Sequence, residues 1–229
     1  MLNRISNWYR SLLVHDEGLH ALLVILVIII FIIYPLQARG LSDLMLTKIF
    51  LTVLTAAGVW AVSKNRKQLA IVVAISVMNL AFQWYRTVSQ ESWVIISSLV
   101  LTFAFEAILA IFILLRTLAP GPVNLFRIEG SVVVYLLIGV LFATLYSLIF
   151  AIDSTAFNIP NHPQNLESWQ ATFMYFSFIT LTTIGYGDIQ PALPLAQSAA
   201  MMEGLIGQLF PAILIARLVS QSLQETKSS

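Results

Sequence analysis

Long apolar runs separated by brief polar breaks dominate this chain. A helix that crosses a membrane needs about 20 mostly apolar residues, because the hydrocarbon layer is about 30 Å thick and each helical residue rises about 1.5 Å. Six segments approach that length: Leu19–Leu36, Leu44–Val62, Leu69–Trp84, Trp93–Leu115, Val132–Ile152 and Leu193–Val219, the third being the shortest. The pattern predicts an all-α integral membrane protein with six transmembrane helices. A further run, Ser168–Leu181, is too short to span and apolar enough to be buried. It predicts a re-entrant helix between the last two spans.

Two breaks divide the chain. Before the first span, Leu2, Ile5, Trp8, Tyr9, Leu12 and Leu13 recur at helical spacing, with Asn3, Arg4, Asn7 and Arg10 between them. Residues 1–18 therefore read as an amphipathic helix lying in the interface, the alternative being a frayed polar terminus. Ala119-Pro120-Gly121-Pro122 stops a helix and makes a stiff turn. It separates a four-helix unit (19–118) from a two-span unit (132–229), with a linker over 119–131.

Composition agrees with lipid as the main solvent. Hydrophobic residues make up 59% and charged residues 10%, against about 25% charged in an ordinary soluble domain. The chain has no cysteine, which excludes disulfides and thiolate-held metals. A net charge of +1 gives no case for nucleic acid as a partner. The start is not read as a cleaved signal peptide, because its apolar run is long and no small-residue cleavage site follows. With a cytoplasmic N-terminus, Arg4, Arg10, Lys64, Arg66, Lys67, Arg116, Arg127, Arg217 and Lys227 lie inside, and only Arg39, Lys48 and Arg86 lie outside. That asymmetry satisfies the positive-inside bias. Both termini are then cytoplasmic, and the short loops fit a bacterial inner or plasma membrane.

The re-entrant run ends in Thr182-Thr183-Ile184-Gly185-Tyr186-Gly187-Asp188. Here the chain resembles the potassium channel pore family, whose loop reads Thr-Val-Gly-Tyr-Gly, with Ile184 in the valine position. The resemblance implies a selectivity filter at Thr183, Ile184, Gly185, Tyr186 and Gly187, with K+ as the permeant ion and no organic cofactor. The physics is independent of the family. Potassium must shed its water to be told from sodium, and consecutive backbone carbonyls can replace that water if they point one way. Glycine supplies the positive φ this needs, and Gly185 and Gly187 flank Tyr186. One loop per chain cannot close a ring, so four chains are expected, most simply as a homotetramer in membrane lipid. The competing readings are a less selective cation channel and a potassium uptake component; the intact Gly-Tyr-Gly and the single loop argue against them.

Around the filter, Thr182, Asp188, Tyr175 and Glu203 are candidate supports. Tyr175 falls where many relatives carry tryptophan, and either braces Asp188 or merely packs. Asp153, Glu167 and Asp188 give an acidic outer mouth; His162 in the same loop is a pH sensor or simply solvated. Gly207 lies 22 residues after Gly185, where family inner helices often carry a gating hinge, and Pro211 one turn later would kink the helix; close helix packing is the other reading. Glu203 points either toward Thr180 or Thr182 behind the filter or into a cavity, and Gln208, Ala212 and Ile215 are better cavity-lining candidates.

Six spans with the pore last is the layout of voltage-gated channels. Moving one elementary charge through the field is worth only about 2.3 kcal/mol per 100 mV, so a sensor needs several. Trp93–Leu115 contains no Lys or Arg, and its one charge is Glu106. Weak voltage dependence is expected. Glu106 finds possible partners in Asn79 and Gln83. The residues after the inner helix are too few for a ligand-binding module, so gating through one is not expected.

Overall fold

The computed structural model describes residues 17–38, 44–62, 66–86, 88–89, 91–119, 125–160 and 166–228. The amphipathic N-terminal segment lies outside these, apart from Glu17 and Gly18, which already belong to the first membrane helix rather than to a separate element. That helix, α1 (Glu17–Ile28), passes through a π-helical stretch (Ile29–Ile33) into α2 (Tyr34–Ala38). Pro35 explains the widened turn. It has no N–H to offer, and its ring crowds the carbonyl four residues back.

The remaining helices are α3 (Leu44–Val62), α4 (Arg66–Tyr85), α5 (Ser92–Thr117), α6 (Leu125–Ile152), α7 (Leu166–Leu181) and α8 (Pro194–Ser228). Four stretches are long and apolar enough to cross a membrane: Gly18–Leu36, Ser92–Thr117, Phe126–Ile152 and Pro194–Arg217. The other two expected spans carry only the shorter apolar stretches Leu51–Val62 and Leu69–Tyr85. In α4 the buried Ser76, Asn79 and Gln83 lower the apolarity. They are not wasted: Gln83 and Thr102 of α5 both donate to Asn79 Oδ1, at 3.2 and 2.9 Å.

One boundary differs from the sequence reading. The sixth helix, α6, begins at Leu125, so residues 125–131 are its first turns and not linker. Apolarity counts miss them because Arg127 and Glu129 are charged. Their backbone still makes helical hydrogen bonds, and Phe126 packs under the Arg116 guanidinium, 4.4 Å from carbon to ring centre.

Two clusters form the core. Leu19, Leu22 and Leu26 of α1 meet Leu109 and Ile113 of α5 and Val133, Leu137 and Val140 of α6. The second is aromatic and lies behind the loop that follows α7. Tyr146 of α6 sits 4.9 Å from Phe176 of α7 and 5.6 Å from Phe157, ring centre to ring centre, both edge-on. Phe157 and Asn158 (β1) pair antiparallel with Pro191 and Gln190 (β2), tying the loop before α7 to the segment after it.

Candidate ion pathway

Helix α7 stops at Leu181, and the chain folds back on its own last turn. The amides of Ile184 and Gly185 both donate to Ile179 O, at 2.9 and 3.1 Å, and Thr183 N donates to Thr180 O at 2.9 Å. Beyond this knot the backbone alternates. Thr183, Gly185 and Gly187 have φ of 60°, 55° and 76°, and no other described residue has a positive φ. Left-handed residues at every second position turn consecutive carbonyls toward one side. This is the arrangement that lets a row of backbone oxygens replace an ion's water. The glycines were legible as such; Thr183 was not, since a β-branched residue seldom adopts this conformation.

The loop is exposed, Tyr186 at 70% and Ile184 at 54%. Its outer end is held at two points. Tyr175 Oη donates to Asp188 Oδ2 at 2.8 Å, and Gln190 Nε2 donates to Gly187 O at 3.1 Å. Sequence reasoning brought Tyr175 and Asp188 together but did not single out Gln190. Just after α6, Asp153 caps the turn Ser154–Ala156 and accepts from the hydroxyl and the amide of Thr155. These bonds hold its carboxyl below the usual aspartate range. The side chain of Glu167 and the whole of His162 lie outside the described residues.

Glu203 is wholly buried on the flank of α8. Its partners are not Thr180 or Thr182. Those hydroxyls bond back to the carbonyls of Phe176 and Phe178 within their own helix turn. Instead, Tyr146 Oη of α6 donates to Glu203 Oε2 at 2.5 Å, and Ser177 Oγ of α7 lies 2.5 Å from Oε1. The same Ser177 Oγ lies 2.6 Å from Gly139 O of α6. One carboxyl therefore joins α6, α7 and α8. The signal in the sequence was faint: single hydroxyls in apolar runs.

Gly207 faces the end of α7. A methyl group built on it would lie 1.9 Å from Leu181 O, a backbone atom. Tyr135 Oη donates to the same oxygen at 3.3 Å. At this position close packing is what the geometry requires of the glycine. Helix α8 runs without interruption through Pro211. Gln208, Ala212 and Ile215 are exposed on α8.

Glu106 does not meet Asn79 or Gln83, which are occupied with each other and with Thr102. It is 3% exposed and turns toward Thr144 of α6, while Oε2 has no hydrogen-bond partner among the described residues.

Residues 132–223 match a family model described as an ion channel. The stretch covers α6 from Val132, α7, the alternating loop and most of α8. A relative, the "Two pore potassium channel c" of Oryza sativa subsp. japonica, is 44% identical over 64 residues, 28% of this chain. The chain spans 13% of that protein's length. No solved structure matches.

Proposed function

We propose that this chain is one subunit of a potassium-selective channel, a homotetramer in the membrane through which K+ moves passively. The observation that carries the reading is the alternating backbone at Thr183, Gly185 and Gly187, set in Thr-Thr-Ile-Gly-Tyr-Gly-Asp at the end of a buried re-entrant helix. The ion-channel match over the same residues and the potassium channel named among its relatives support it.

Each subunit contributes the carbonyls of Thr183, Ile184, Gly185 and Tyr186, with Gly187 completing the filter. Tyr175 and Gln190 hold its outer end, and Thr182 and Glu203 hold its base. Helix α7 points its C-terminal end toward the axis, where its partial negative charge favours a cation. Gln208, Ala212 and Ile215 line the inner cavity, and Pro211 shapes the helix below Gly207. Four copies also cover the exposed apolar residues of α8, among them Met201, Leu205, Leu209 and Ile213. All six expected spans cross the membrane, α4 held to α5 by the polar seam at Asn79, with both termini cytoplasmic.

The test is a reversal potential. Protein reconstituted in planar bilayers under opposed K+ and Na+ gradients should reverse close to the potassium equilibrium potential, and Gly185→Ala should abolish that current. Reversal near zero would replace the reading with a less selective cation channel.

A further inference from the structure

The contacts of Glu203 do not balance unless it carries a hydrogen. Three oxygen–oxygen contacts lie between 2.5 and 2.6 Å: Tyr146 Oη to Glu203 Oε2, Glu203 Oε1 to Ser177 Oγ, and Ser177 Oγ to Gly139 O. Each needs one hydrogen between its two oxygens. A serine and a tyrosine bring one hydroxyl hydrogen each, and a backbone carbonyl only accepts. Two hydrogens cannot fill three bonds. If Ser177 donates to Gly139 O, it has nothing left for Glu203; if it donates to Glu203, its oxygen faces the Gly139 oxygen bare. A third hydrogen on Glu203 Oε1 resolves the chain. Tyr146 then donates to Glu203, Glu203 to Ser177, and Ser177 to Gly139.

The surroundings agree. Glu203, Tyr146 and Ser177 are all 0% exposed. No Lys, Arg or His among the described residues lies within 4.0 Å of the carboxyl. The groups that face it are Tyr146 of α6 and Ser177 of α7; Tyr135, also of α6, is the further titratable side chain within electrostatic reach. An ionised carboxylate buried without a cation is far costlier than a neutral acid with its hydrogen bonds complete.

We propose that Glu203 is a proton-binding site of the pore unit. It is a neutral carboxylic acid whose hydrogen, donated from Oε1 to Ser177, completes the chain Tyr146–Glu203–Ser177–Gly139 and fastens the re-entrant helix to its neighbours. Withdrawing that hydrogen breaks one of the three bonds beneath the filter and lowers K+ passage. The bound hydrogen is independent of the channel reading; the effect on passage rests on it.

Infrared spectroscopy of the purified full chain tests the site without any transport. At neutral pH the difference between wild type and Glu203→Gln should contain the carbonyl stretch of a protonated carboxyl, lost in the variant. A difference made only of carboxylate bands overturns the proposal. Should Glu203→Gln fail to assemble, Ser177→Ala removes the acceptor, and the protonated band must shift; an unmoved band overturns it equally. Potassium flux from liposomes tests the consequence. Flux through the wild type should be lost on alkalinisation together with the infrared band, and flux through Glu203→Gln, whose amide N–H replaces the acid hydrogen, should not respond. An equal alkaline loss in both proteins overturns the regulatory half. Absence of K+ flux in the wild type at every pH defeats the channel reading, and the infrared result still decides the site.

Discussion

A threonine with a φ of 60° stores about 1–3 kcal/mol of backbone strain, and Thr183 holds it at the base of a loop otherwise eased by glycine. Neighbouring residues decide whether such a loop keeps its shape. Tyr175→Phe removes the donor to Asp188 Oδ2 and about 1 kcal/mol with it. We expect faster decline of potassium current under sustained conduction, and unchanged current would sink the bracing role. Gly207→Ala drives a methyl into Leu181 O. Overpacking of this kind costs about 1–3 kcal/mol, so a lower melting temperature in detergent is expected. Gly204 is the control. A methyl there meets nothing within 4 Å, and alanine is the better helix former, so Gly204→Ala should melt no lower than wild type. Asp153 has its carboxyl held below the usual range by Thr155. Its contribution to order is therefore full at neutral pH, present above the ordinary aspartate range and lost as the pH falls through and below it. Hydrogen exchange at the Ala156 amide, which donates to Asp153 O, should quicken only in that acid range.

At the scale of elements, the polar seam between α4 and α5 does for these helices what apolar packing does elsewhere. Lipid does not drive helices together by hydrophobicity, so hydrogen bonds and close contact do the work. Asn79→Leu would leave Gln83 and Thr102 without their shared acceptor, at about 1–3 kcal/mol, and should loosen α4. Limited proteolysis between α4 and α5 reads that loosening directly. The helices, α7 among them, were legible in the sequence because apolar run length is itself the physical cause of membrane insertion. The start of α6 was not, because a helix can extend into the polar region where charges such as Arg127 and Glu129 are welcome. The π-helical turn at Ile29–Ile33 was present in the sequence as Pro35, but its form depends on what the first helix packs against. In the candidate site, the loop residues announced themselves by type, and the Tyr175–Asp188 pair through the resemblance to the potassium channel pore family. Tyr146 and Ser177 did not, because only tertiary packing brings three helices to one carboxyl.

For the whole molecule, α5 is the decisive helix. Its basic residue is Arg116, in the last turn, where the side chain donates to Ala61 O and covers Phe126. With no charge ladder to move through the field, conductance of the reconstituted protein should vary only weakly with voltage; a steep voltage dependence in symmetric solutions free of blocking ions would contradict this. The first helices nonetheless bear on α6 and α7: α1 packs on α6, and the π-helical turn and α2 face α7 across an apolar cavity of about 370 Å³ lined by Ile30, Phe31, Pro35, Met174 and Phe178. The contact at Gly207 gives the fold a lever. Leu181 is the last residue before Thr182, and it rests backbone to backbone on the inner helix. In the proposed channel, a pivot of that helix at its middle would press on the end of α7 and the loop that follows it. In the proposed channel, whatever moves α8 at Gly207 is felt, within one residue, at the start of the Thr182–Asp188 loop.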